Sequence, residues 1–341
     1  MRLSHRTATL RLEEPFTISR ATDEEVEEIF VELELDGIVG YGEASPQEVY
    51  GESVESAATF LDGAEELLGA DPFALEEIER RLAESPGEMA AKAAIDSALY
   101  DICGKLTNQP VWRLLGLDRA GPPTSWTIWL GDPDDMARRA ERVRGRFKRL
   151  KLKLGGGDGL DVERVRAVRG VSEVPLQVDV NEFWSLDEAL EALPQLAELG
   201  VEYCEQPLPA GDQSGVELKR RSPLPIYVDE DCHTLGDVPA CAERAHGLTV
   251  KLAKSGGIRE AVRMAHAARA LGLGLMLGCM NESGLAVAAG AACASLFDHV
   301  DLDGNLLLVE DPWPGVELVD GVQLPSNEPG LGVREAVPDP G

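Results

Sequence analysis

Positive charge is scarce in this sequence: its 341 residues contain 32 lysines and arginines against 61 aspartates and glutamates, a formal net charge of -29. A strongly acidic surface repels nucleic acid and anionic membranes, so neither is expected as a partner. Only eight of the basic residues are lysine, yet three of them lie close together at Lys148, Lys151 and Lys153. Lysine is therefore concentrated in one short stretch of the chain.

Cysteine motifs and long apolar segments are also missing. The six cysteines are scattered, without a Cys-x-x-Cys pair or a zinc-type spacing to histidine, which favours a reduced, cytosolic setting. The N-terminus has no apolar signal region, and no window approaches the roughly 18 apolar residues that a membrane helix needs. We therefore expect a soluble, cytoplasmic protein.

Two patterns of different character divide the chain. Residues 1 to about 45 alternate as β-strands around a tight turn at Asp36-Gly37, and residues 53–115 carry helical periodicity. A break follows at Gly121-Pro122-Pro123. These patterns predict an α+β domain over residues 1–120 and a second domain from residue 121 to 309.

The second domain repeats a strand followed by a helix, which indicates an α/β fold. Strand patterns lie at 124–130, 149–154, 175–180, 201–205, 225–229, 248–252, 274–278 and 299–302. Helical patterns such as 186–199 and 258–271 lie between them. Eight such units predict a (β/α) barrel. The alternative is a doubly wound sheet. It is disfavoured because no Gly-x-Gly-x-x-Gly turn follows any of the strands.

Lys151 and Lys153 occupy alternate positions of one predicted strand, so both side chains point the same way. Neighbouring ammonium groups disfavour each other's charge, which lowers the pKa of at least one of the two lysines. A lysine with a lowered pKa is a candidate general base. The alternative is an exposed edge strand with solvated lysines.

Carboxylates end three successive strands of the predicted barrel, at Asp179, Glu205 and Asp229. The C-terminal ends of barrel strands meet at one mouth, where three buried anions repel one another unless a cation lies between them. Mg²⁺ suits such a set of oxygen ligands. The alternative for each carboxylate is that it caps the following helix. Three carboxylates at the ends of three successive strands favour the metal site instead.

Lys251 ends the sixth strand, across the predicted mouth from Lys153. Two lysines on opposite faces of a substrate can remove a proton from one face and return one to the other. Lys254 is expected to face away, as a solvated or packing lysine. Glu282, after the seventh strand, either lines the mouth or is a solvated loop carboxylate.

Five motifs together resemble the muconate-lactonizing subgroup of the enolase superfamily: Lys151-x-Lys153, Asp179-x-Asn181, Glu205-Gln206-Pro207, Asp229-Glu230 and Lys251-x-x-Lys254-x-Gly256-Gly257. The resemblance continues over residues 94–116. It implies a modified TIM barrel, (β/α)7β, with an α+β capping domain that a C-terminal segment, about 310–341, completes. Enolase-type sites use a lysine or histidine base with Mg²⁺.

The resemblance also implies the roles of the site residues. Asp179, Glu205 and Asp229 would hold Mg²⁺, with Asn181 and Glu230 behind them. Lys153 and Lys251 would exchange acid and base roles, and Lys151 would stabilise an enediolate and lower the pKa of Lys153.

Asp301-Leu302-Asp303 on the predicted eighth strand places two carboxylates on one face, where they can bind a substrate ammonium. The alternative is a loop pair that caps local backbone. The motif resembles the dipeptide epimerases, which implies 1,1-proton transfer at the Cα of the C-terminal residue of a dipeptide. Muconate, succinylbenzoate and N-acylamino acid substrates lack a free amine and would be repelled.

Specificity is expected to come from the capping domain. Arg20 would pair with an acidic second residue, as in Ala-Glu epimerases, or else with the acidic run 23–25. Tyr50, in Tyr50-Gly51-Glu52, is expected to belong to a second mobile loop over the site. Asp231 and Gly304 depart from the family pattern and leave the preferred dipeptide open.

We therefore predict a Mg²⁺-dependent dipeptide epimerase, an isomerase with a small-molecule dipeptide substrate, that forms a homo-oligomer. The alternative is another enzyme of the superfamily: an N-acylamino acid racemase, an o-succinylbenzoate synthase or a muconate cycloisomerase. Each of these would share all the metal ligands and lysines. A noncatalytic metal-binding protein on this fold is disfavoured by the intact lysine and carboxylate set.

Overall fold

The structure is a computed structural model that describes residues 1–336 of the chain. The last five positions of the predicted C-terminal segment 310–341 lie outside the described residues. Within the described part, no helix has both the length and the apolar character needed to span a membrane.

An antiparallel three-stranded sheet opens the chain, with strands β1 (Arg2–Thr17), β2 (Thr22–Leu35) and β3 (Ile38–Ala44) in sequential order. The turn between β2 and β3 has positive φ at Asp36 (51°) and Gly37 (82°), as two-residue hairpin loops require. The predicted turn is confirmed.

Four helices follow: α1 (Val54–Leu68), α2 (Leu75–Leu82), α3 (Met89–Thr107) and α4 (Val111–Leu114). Fully buried apolar residues of β2, including Ile29 and Val31, pack with Leu61 of α1 in one core. Because α3 is rich in alanine, it can lie directly on β3, where a Cβ on Gly42 would come within 1.9 Å of the Ala94 carbonyl oxygen.

Eight parallel strands then form one sheet whose order follows the chain: β4 (Trp126–Ile128), β5 (Leu150–Lys153), β6 (Leu176–Asp179), β7 (Val201–Glu205), β8 (Ile226–Val228), β9 (Gly247–Lys251), β10 (Gly274–Gly278) and β11 (His299–Asp301). A parallel bridge from Thr124 to Val300 joins the first strand to the last. The sheet therefore closes into a barrel, and the doubly wound alternative is wrong.

The helices between the strands are α5 (Pro133–Arg142), α6 (Asp161–Val171), α7 (Leu186–Glu198), α8 (Gly215–Arg221), α9 (Val238–Arg244), α10 (Leu252–Ser255), α11 (Ile258–Ala270) and α12 (Gly284–Cys293). A short 3-10 turn, Gly304–Leu307, follows β11, and no α-helix follows it within residues 1–336. Seven strand and helix units and a final strand make the predicted (β/α)7β barrel, which is confirmed.

The C-terminal part of the described chain contains a hairpin of β12 (Glu317–Val319) and β13 (Val322–Leu324). It also returns to the N-terminal unit, where the Trp313 ring lies 5.6 Å from the Phe30 ring and 4.9 Å from the Tyr41 ring. The backbone amide of Leu331 donates to the Asp101 carboxylate (2.8 Å). These contacts agree with a capping domain completed by the C-terminus, and the boundaries at 120 and 309 remain our proposal.

Candidate active site

A cavity lies at the C-terminal ends of the barrel strands, under loops from β1, β2 and the 3-10 helix Glu48–Tyr50. Both parts of the molecule contribute to its wall. The residues that line it are Phe16, Ile18, Arg20, Asp23, Val26, Gln47, Val49, Tyr50, Thr127, Lys151, Lys153, Asn181, Lys251, Cys279, Met280, Asn281, Asp301 and Asp303.

Lys151 and Lys153 point into the barrel from β5, an inner strand paired with β4 and β6. The edge-strand alternative is therefore wrong. Lys151 is 1% exposed, and its Nζ lies 2.7 Å from Glu205 Oε2 and 2.9 Å from Asp301 Oδ2. Because β5 alternates, Leu150 and the other leucines of the strand pack on the opposite face, in the core outside the barrel.

The pKa of Lys151 itself is raised. Burial disfavours the charged lysine, but the carboxylates of Asp301, Glu205 and Asp179 outweigh burial and hold the pKa well above its usual value. Lys151 is thus a permanent cation that links the carboxylates of the site.

Lys153 and Lys251 face each other across the mouth, since β5 and β9 are four strands apart in an eight-stranded barrel. Lys153 Nζ donates to Asp179 Oδ2 (2.7 Å), and Lys251 Nζ lies 2.9 Å from Asp229 Oδ2. Each lysine is 8% exposed, so each reaches the cavity from a mostly buried position. The predicted opposition of the two lysines is present.

The three predicted metal ligands are fully buried: Asp179 and Glu205 end β6 and β7, and Asp229 directly follows β8. None of them caps the following helix, because Ser185, Ser214 and Asp237 hold those positions. Across residues 1–336, no three acidic, histidine or cysteine side chains are gathered in a ready-made metal site. Lysine ammonium groups lie between the carboxylates instead.

The donor set nevertheless fits Mg²⁺. Four buried oxygens at the mouth accept no hydrogen bond, although two of them lie within ion-pair distance of a lysine: Asn181 Oδ1, Glu205 Oε2, Asp229 Oδ2 and Glu230 Oε2. A buried oxygen without a donor costs about 1–3 kcal/mol, and oxygen atoms are the ligands that Mg²⁺ prefers.

The pKa values of the three carboxylates diverge because their neighbours differ. Burial and the adjacent Asp179 raise the pKa of Glu205 to about 7. Burial also opposes charge on Asp179, but Lys153 and Lys151 lower its pKa to about 2. Lys251 and Lys254 likewise overcome burial and hold the pKa of Asp229 far below its usual value. A cation near Glu205 would favour its charged form.

Lys254 faces the site, so the expectation that it faces away is wrong. It is 2% exposed, and its Nζ donates to the Asp229 carboxylate, to the Asp229 carbonyl (2.5 Å) and to the Cys232 carbonyl (3.0 Å). The reason is local: α10 begins directly after β9 and ends after one turn, at Gly256 (φ 89°) and Gly257 (φ 121°). The paired glycines were the available sequence signal for that tight turn.

Asp301 and Asp303 both line the cavity, but only Asp301 belongs to β11. The expectation that both lie on the eighth strand is wrong, because the chain turns into a 3-10 helix at Gly304, where a Cβ would lie 2.3 Å from the Met280 carbonyl oxygen. Asp303 Oδ2 accepts from the Thr127 amide (2.6 Å) across the barrel seam. Burial and Asp301 raise the pKa of Asp303 to about 7.

Arg20 pairs with barrel carboxylates and not with the acidic run 23–25, so that alternative is wrong. Its Nη2 donates to Glu230 Oε1 (2.9 Å) and its Nη1 to Glu182 Oε2 (3.2 Å). Asn181 Nδ2 lies 3.4 Å from both Asp179 Oδ2 and Glu230 Oε1. The first loop of the chain is therefore fastened to the loops after β6 and β8.

Tyr50 lines the cavity, whereas Glu282, which was predicted to line the mouth, is not one of its lining residues. The Tyr50 ring lies 4.8 Å from the His233 ring in an edge-to-face arrangement. Glu282 is 6% exposed and accepts from the Met280 amide (3.2 Å), so the alternative of a solvated carboxylate is wrong. Burial raises the pKa of Glu282 to about 7.

Two further residues, to which the sequence motifs assigned no role, contact the acidic residues of the site. Thr249 Oγ1 donates to Glu205 Oε1 (3.0 Å), and Gln206 Oε1 accepts from the Asp229 amide (2.8 Å). Thr249 is two positions before Lys251 on β9, so strand alternation was the signal that it points inward. Gln206 has φ 35°, a conformation rare for a residue with a side chain, at the end of β7.

The chain matches two families: "Mandelate racemase / muconate lactonizing enzyme, N-terminal domain" over residues 3–116 and "Enolase C-terminal domain-like" over residues 135–336. Among curated relatives, the L-Ala-D/L-Glu epimerase of Bacteroides thetaiotaomicron is 38% identical, over 96% of this chain and 86% of its own length.

Two solved structures have the same architecture. The dipeptide epimerase of Enterococcus faecalis, complexed with Mg and the dipeptide L-Leu-L-Tyr, is 31% identical, with a TM-score of 0.92 over 97% of this chain and 98% of that chain. The N-succinyl Arg/Lys racemase of Bacillus cereus is 32% identical, with a TM-score of 0.92 over 98% of this chain and 96% of that chain.

Proposed function

Because the chain belongs to the mandelate racemase and muconate lactonizing enzyme family of the enolase superfamily, we propose that it is a Mg²⁺-dependent dipeptide epimerase, an isomerase. The observation that carries the proposal is the carboxylate pair Asp301 and Asp303, 7% and 4% exposed, in the wall of the lysine cavity. A substrate ammonium is the group that two adjacent buried carboxylates accept best.

Asp179, Glu205 and Asp229 would hold Mg²⁺, with Asn181 and Glu230 next to them. When bound, Mg²⁺ supplies positive charge for the substrate carboxylate and for the negative charge that develops there. The lysines that now neutralise the carboxylates are long and flexible enough to turn toward a substrate.

Lys153 and Lys251 would act on the Cα of the second residue from opposite faces. One neutral lysine removes the proton and leaves an enediolate, and the other, as an ammonium, returns a proton to the opposite face. Their acid and base roles exchange with the configuration of the substrate. Lys151, a permanent cation between them and the acidic residues, would stabilise the enediolate charge.

Asp301 and Asp303 would bind the substrate amine, and Arg20 and Tyr50 would surround the rest of the dipeptide. An N-acylamino acid racemase is the second candidate, since the N-succinyl Arg/Lys racemase of Bacillus cereus is equally similar in fold. Its substrate would bring an acyl group, and no ammonium, to the two aspartates.

The cellular setting is a separate part of the proposal. A cytoplasmic location is proposed because the scattered cysteines favour a reduced, intracellular setting. A homo-oligomeric state is a separate proposal. Size-exclusion chromatography with light scattering measures the oligomeric state directly.

The reaction is tested by incubating the protein with Mg²⁺ and a library of L,L-dipeptides in D₂O. We expect deuterium at the Cα of the C-terminal residue, detected by mass spectrometry, together with the L,D product. Lys251→Ala and a sample treated with a chelator serve as controls. Exchange in N-succinyl amino acids but in no dipeptide would favour the racemase, and absence of exchange in both would contradict the proposal.

A further inference from the structure

A second cavity lies between the two parts of the molecule, away from the barrel mouth. Its wall comes mainly from α2 and α3 on one side and from α10 and α11 on the other, and its volume is about 340 Å³. It shares no lining residue with the cavity at the mouth. Binding sites for small molecules have volumes of this order and often lie between domains.

The side of this cavity that belongs to the N-terminal unit is largely apolar. Ile78 and Leu82 of α2 and Leu99 of α3 are buried and line it. Leu75 and Met89 extend the same surface. A hydrocarbon chain placed against these side chains would be removed from water, which is favourable.

Asp96 of α3 brings a carboxyl group into the same cavity. Its Oδ2 accepts from the Arg259 amide (3.3 Å), but a carboxylate can accept about four hydrogen bonds, so acceptor capacity remains. Within residues 1–336, no basic side chain forms an ion pair with Asp96. Burial raises its pKa to about 7, as expected for an enclosed carboxylate without a cation.

The other charged groups of the wall already have partners in the protein. Arg259 Nε donates to Glu79 Oε2 (2.7 Å), Lys92 Nζ donates to the Ser85 carbonyl (2.6 Å), and Glu260 Oε1 accepts from the Leu235 amide (2.8 Å). The negative field of the whole chain also favours a cation over an anion at any polar cavity. Asp96 is therefore the group with which a charged ligand would pair.

We propose that this cavity is a binding site for an aliphatic primary amine, whose ammonium group pairs with Asp96 and whose hydrocarbon chain lies against Ile78, Leu82 and Leu99. The amine supplies the cation that Asp96 lacks. A hydrogen bond between two charged groups is about twice as strong as a neutral one, so the ammonium group contributes more than a hydroxyl group would. The proposal is independent of the epimerase reaction, because it uses no residue of the active site.

Helix α10 lies between this cavity and the active site. Ser255 and Gly256 line the cavity, whereas Lys254, directly before them, donates to the Asp229 carboxylate. A ligand in the cavity would therefore contact the same turn of chain that holds Asp229.

The first test compares the binding of n-hexylamine, n-hexanol and hexanoate to the unchanged protein by NMR titration at pH 8, where Asp96 is ionised. The three probes share a six-carbon chain and differ in the head group. We expect the Kd of n-hexylamine to be at least about tenfold lower than that of either other probe. Equal Kd values, tighter binding of hexanoate, which could pair with Lys92, or no binding of n-hexylamine would overturn the proposal.

The second test identifies the site with Asp96→Asn, which keeps an acceptor for the Arg259 amide and removes the charge. We expect the Kd of n-hexylamine to rise at least about tenfold, and that of n-hexanol to change less than threefold. Asp62→Asn is the matched control, because its side chain is 77% exposed on α1. The three-probe comparison decides the question even if Asp96→Asn does not fold.

Asp301→Asn separates this site from the active site, where an ammonium group could also bind. We expect the variant to retain tight n-hexylamine binding. Weaker binding in Asp301→Asn together with unchanged binding in Asp96→Asn would assign the amine to the barrel mouth and overturn this proposal, while leaving the proposed epimerase intact. Unchanged binding in both variants would place the amine elsewhere on the acidic surface and would also overturn it.

Discussion

Lys254 shows how one ammonium group can fix the direction of a carboxylate. It occupies Asp229 Oδ1 and three backbone carbonyls, so Oδ2 is the oxygen of Asp229 that faces Lys251. Groups that orient metal ligands without touching the metal commonly decide its affinity. At the scale of single residues, the site is therefore held by lysines as much as by carboxylates.

Replacing Lys254 by Met should weaken Mg²⁺ binding by roughly 10- to 100-fold, as loss of an orienting contact does at other metal sites. Isothermal titration calorimetry with Mg²⁺ measures this without substrate. Lys219→Met is the control, because Lys219 Nζ donates to the Ala242 carbonyl, away from the cavity. Equal Mg²⁺ affinity in the Lys254 variant and the control would contradict the orienting role.

Asp301→Asn tests the amine subsite at the same scale. The loss of one charged partner of a buried ion pair costs about 2–5 kcal/mol, so kcat/KM for a dipeptide should fall by about 30-fold or more. Turnover of an N-succinyl amino acid, if present, should fall less, since Asp301 then acts only through its ion pair with Lys151 (2.9 Å). Asp62→Asn, at a side chain 77% exposed, is the control, and an Asp301→Asn enzyme with undiminished dipeptide turnover would contradict the assignment.

At the scale of elements, the N-terminal unit controls where barrel helices begin. The Glu43 carboxylate of β3 accepts from the amides of Ser283 (2.8 Å) and Ala286 (3.0 Å) at the start of α12. The Asp96 carboxylate of α3 accepts from the Arg259 amide (3.3 Å) at the start of α11. Helix N-termini have amides without intrahelical acceptors, so a carboxylate from another element can satisfy them.

Glu43 should make stability depend on pH. Burial and the neighbouring Glu282 raise its pKa from 4.5 to about 8 in the folded protein, although the helix amides oppose this. The folded state therefore binds more protons than the unfolded chain between these values. The stabilisation from this group is complete below about pH 4.5 and is lost as the pH rises toward 8.

We expect Glu43→Gln to reduce the fall in unfolding free energy between pH 5 and 8 by at least about 1 kcal/mol, measured by urea unfolding at both values. Glu48→Gln is the control, because Glu48 lies in the surface 3-10 helix over the mouth. An unchanged pH dependence in the Glu43 variant would show that its carboxyl does not titrate in this range.

At the scale of the whole molecule, the dominant feature is a net charge of -29 on a chain of 341 residues. Self-repulsion of this size opposes the compact state, and local pairing relieves only part of it. One such pairing joins the two parts of the molecule, where Arg259 and Arg263 of α11 contact Glu76 and Glu79 of α2.

Added salt should therefore stabilise the protein. Raising NaCl from about 0.05 M to 1 M shortens the Debye length from more than 10 Å to about 3 Å and screens the excess of negative charge. We expect Tm, followed by circular dichroism, to rise by several degrees. A fall in Tm would mean that the ion pairs between α2 and α11 contribute more than the self-repulsion costs.

Strand periodicity and the spacing of polar strand ends were sufficient to predict the barrel and the convergence of Asp179, Glu205 and Asp229. The partners of Arg20 could not be predicted, since Glu182 and Glu230 are remote in sequence and only the folded barrel brings them together. The pKa of Lys151 escaped prediction for the same reason: it is set by carboxylates from three other strands.

The contact between the first and last barrel strands, β4 and β11, affects the order in which the groups of the active site are assembled during synthesis. Lys153, Lys251 and the acidic residues between them are translated well before β11, whereas Asp303 meets the Thr127 amide only after the last strand reaches the first. A nascent chain thus carries every reactive group before it can recognise an amine. Recognition is completed only when the ring of strands closes.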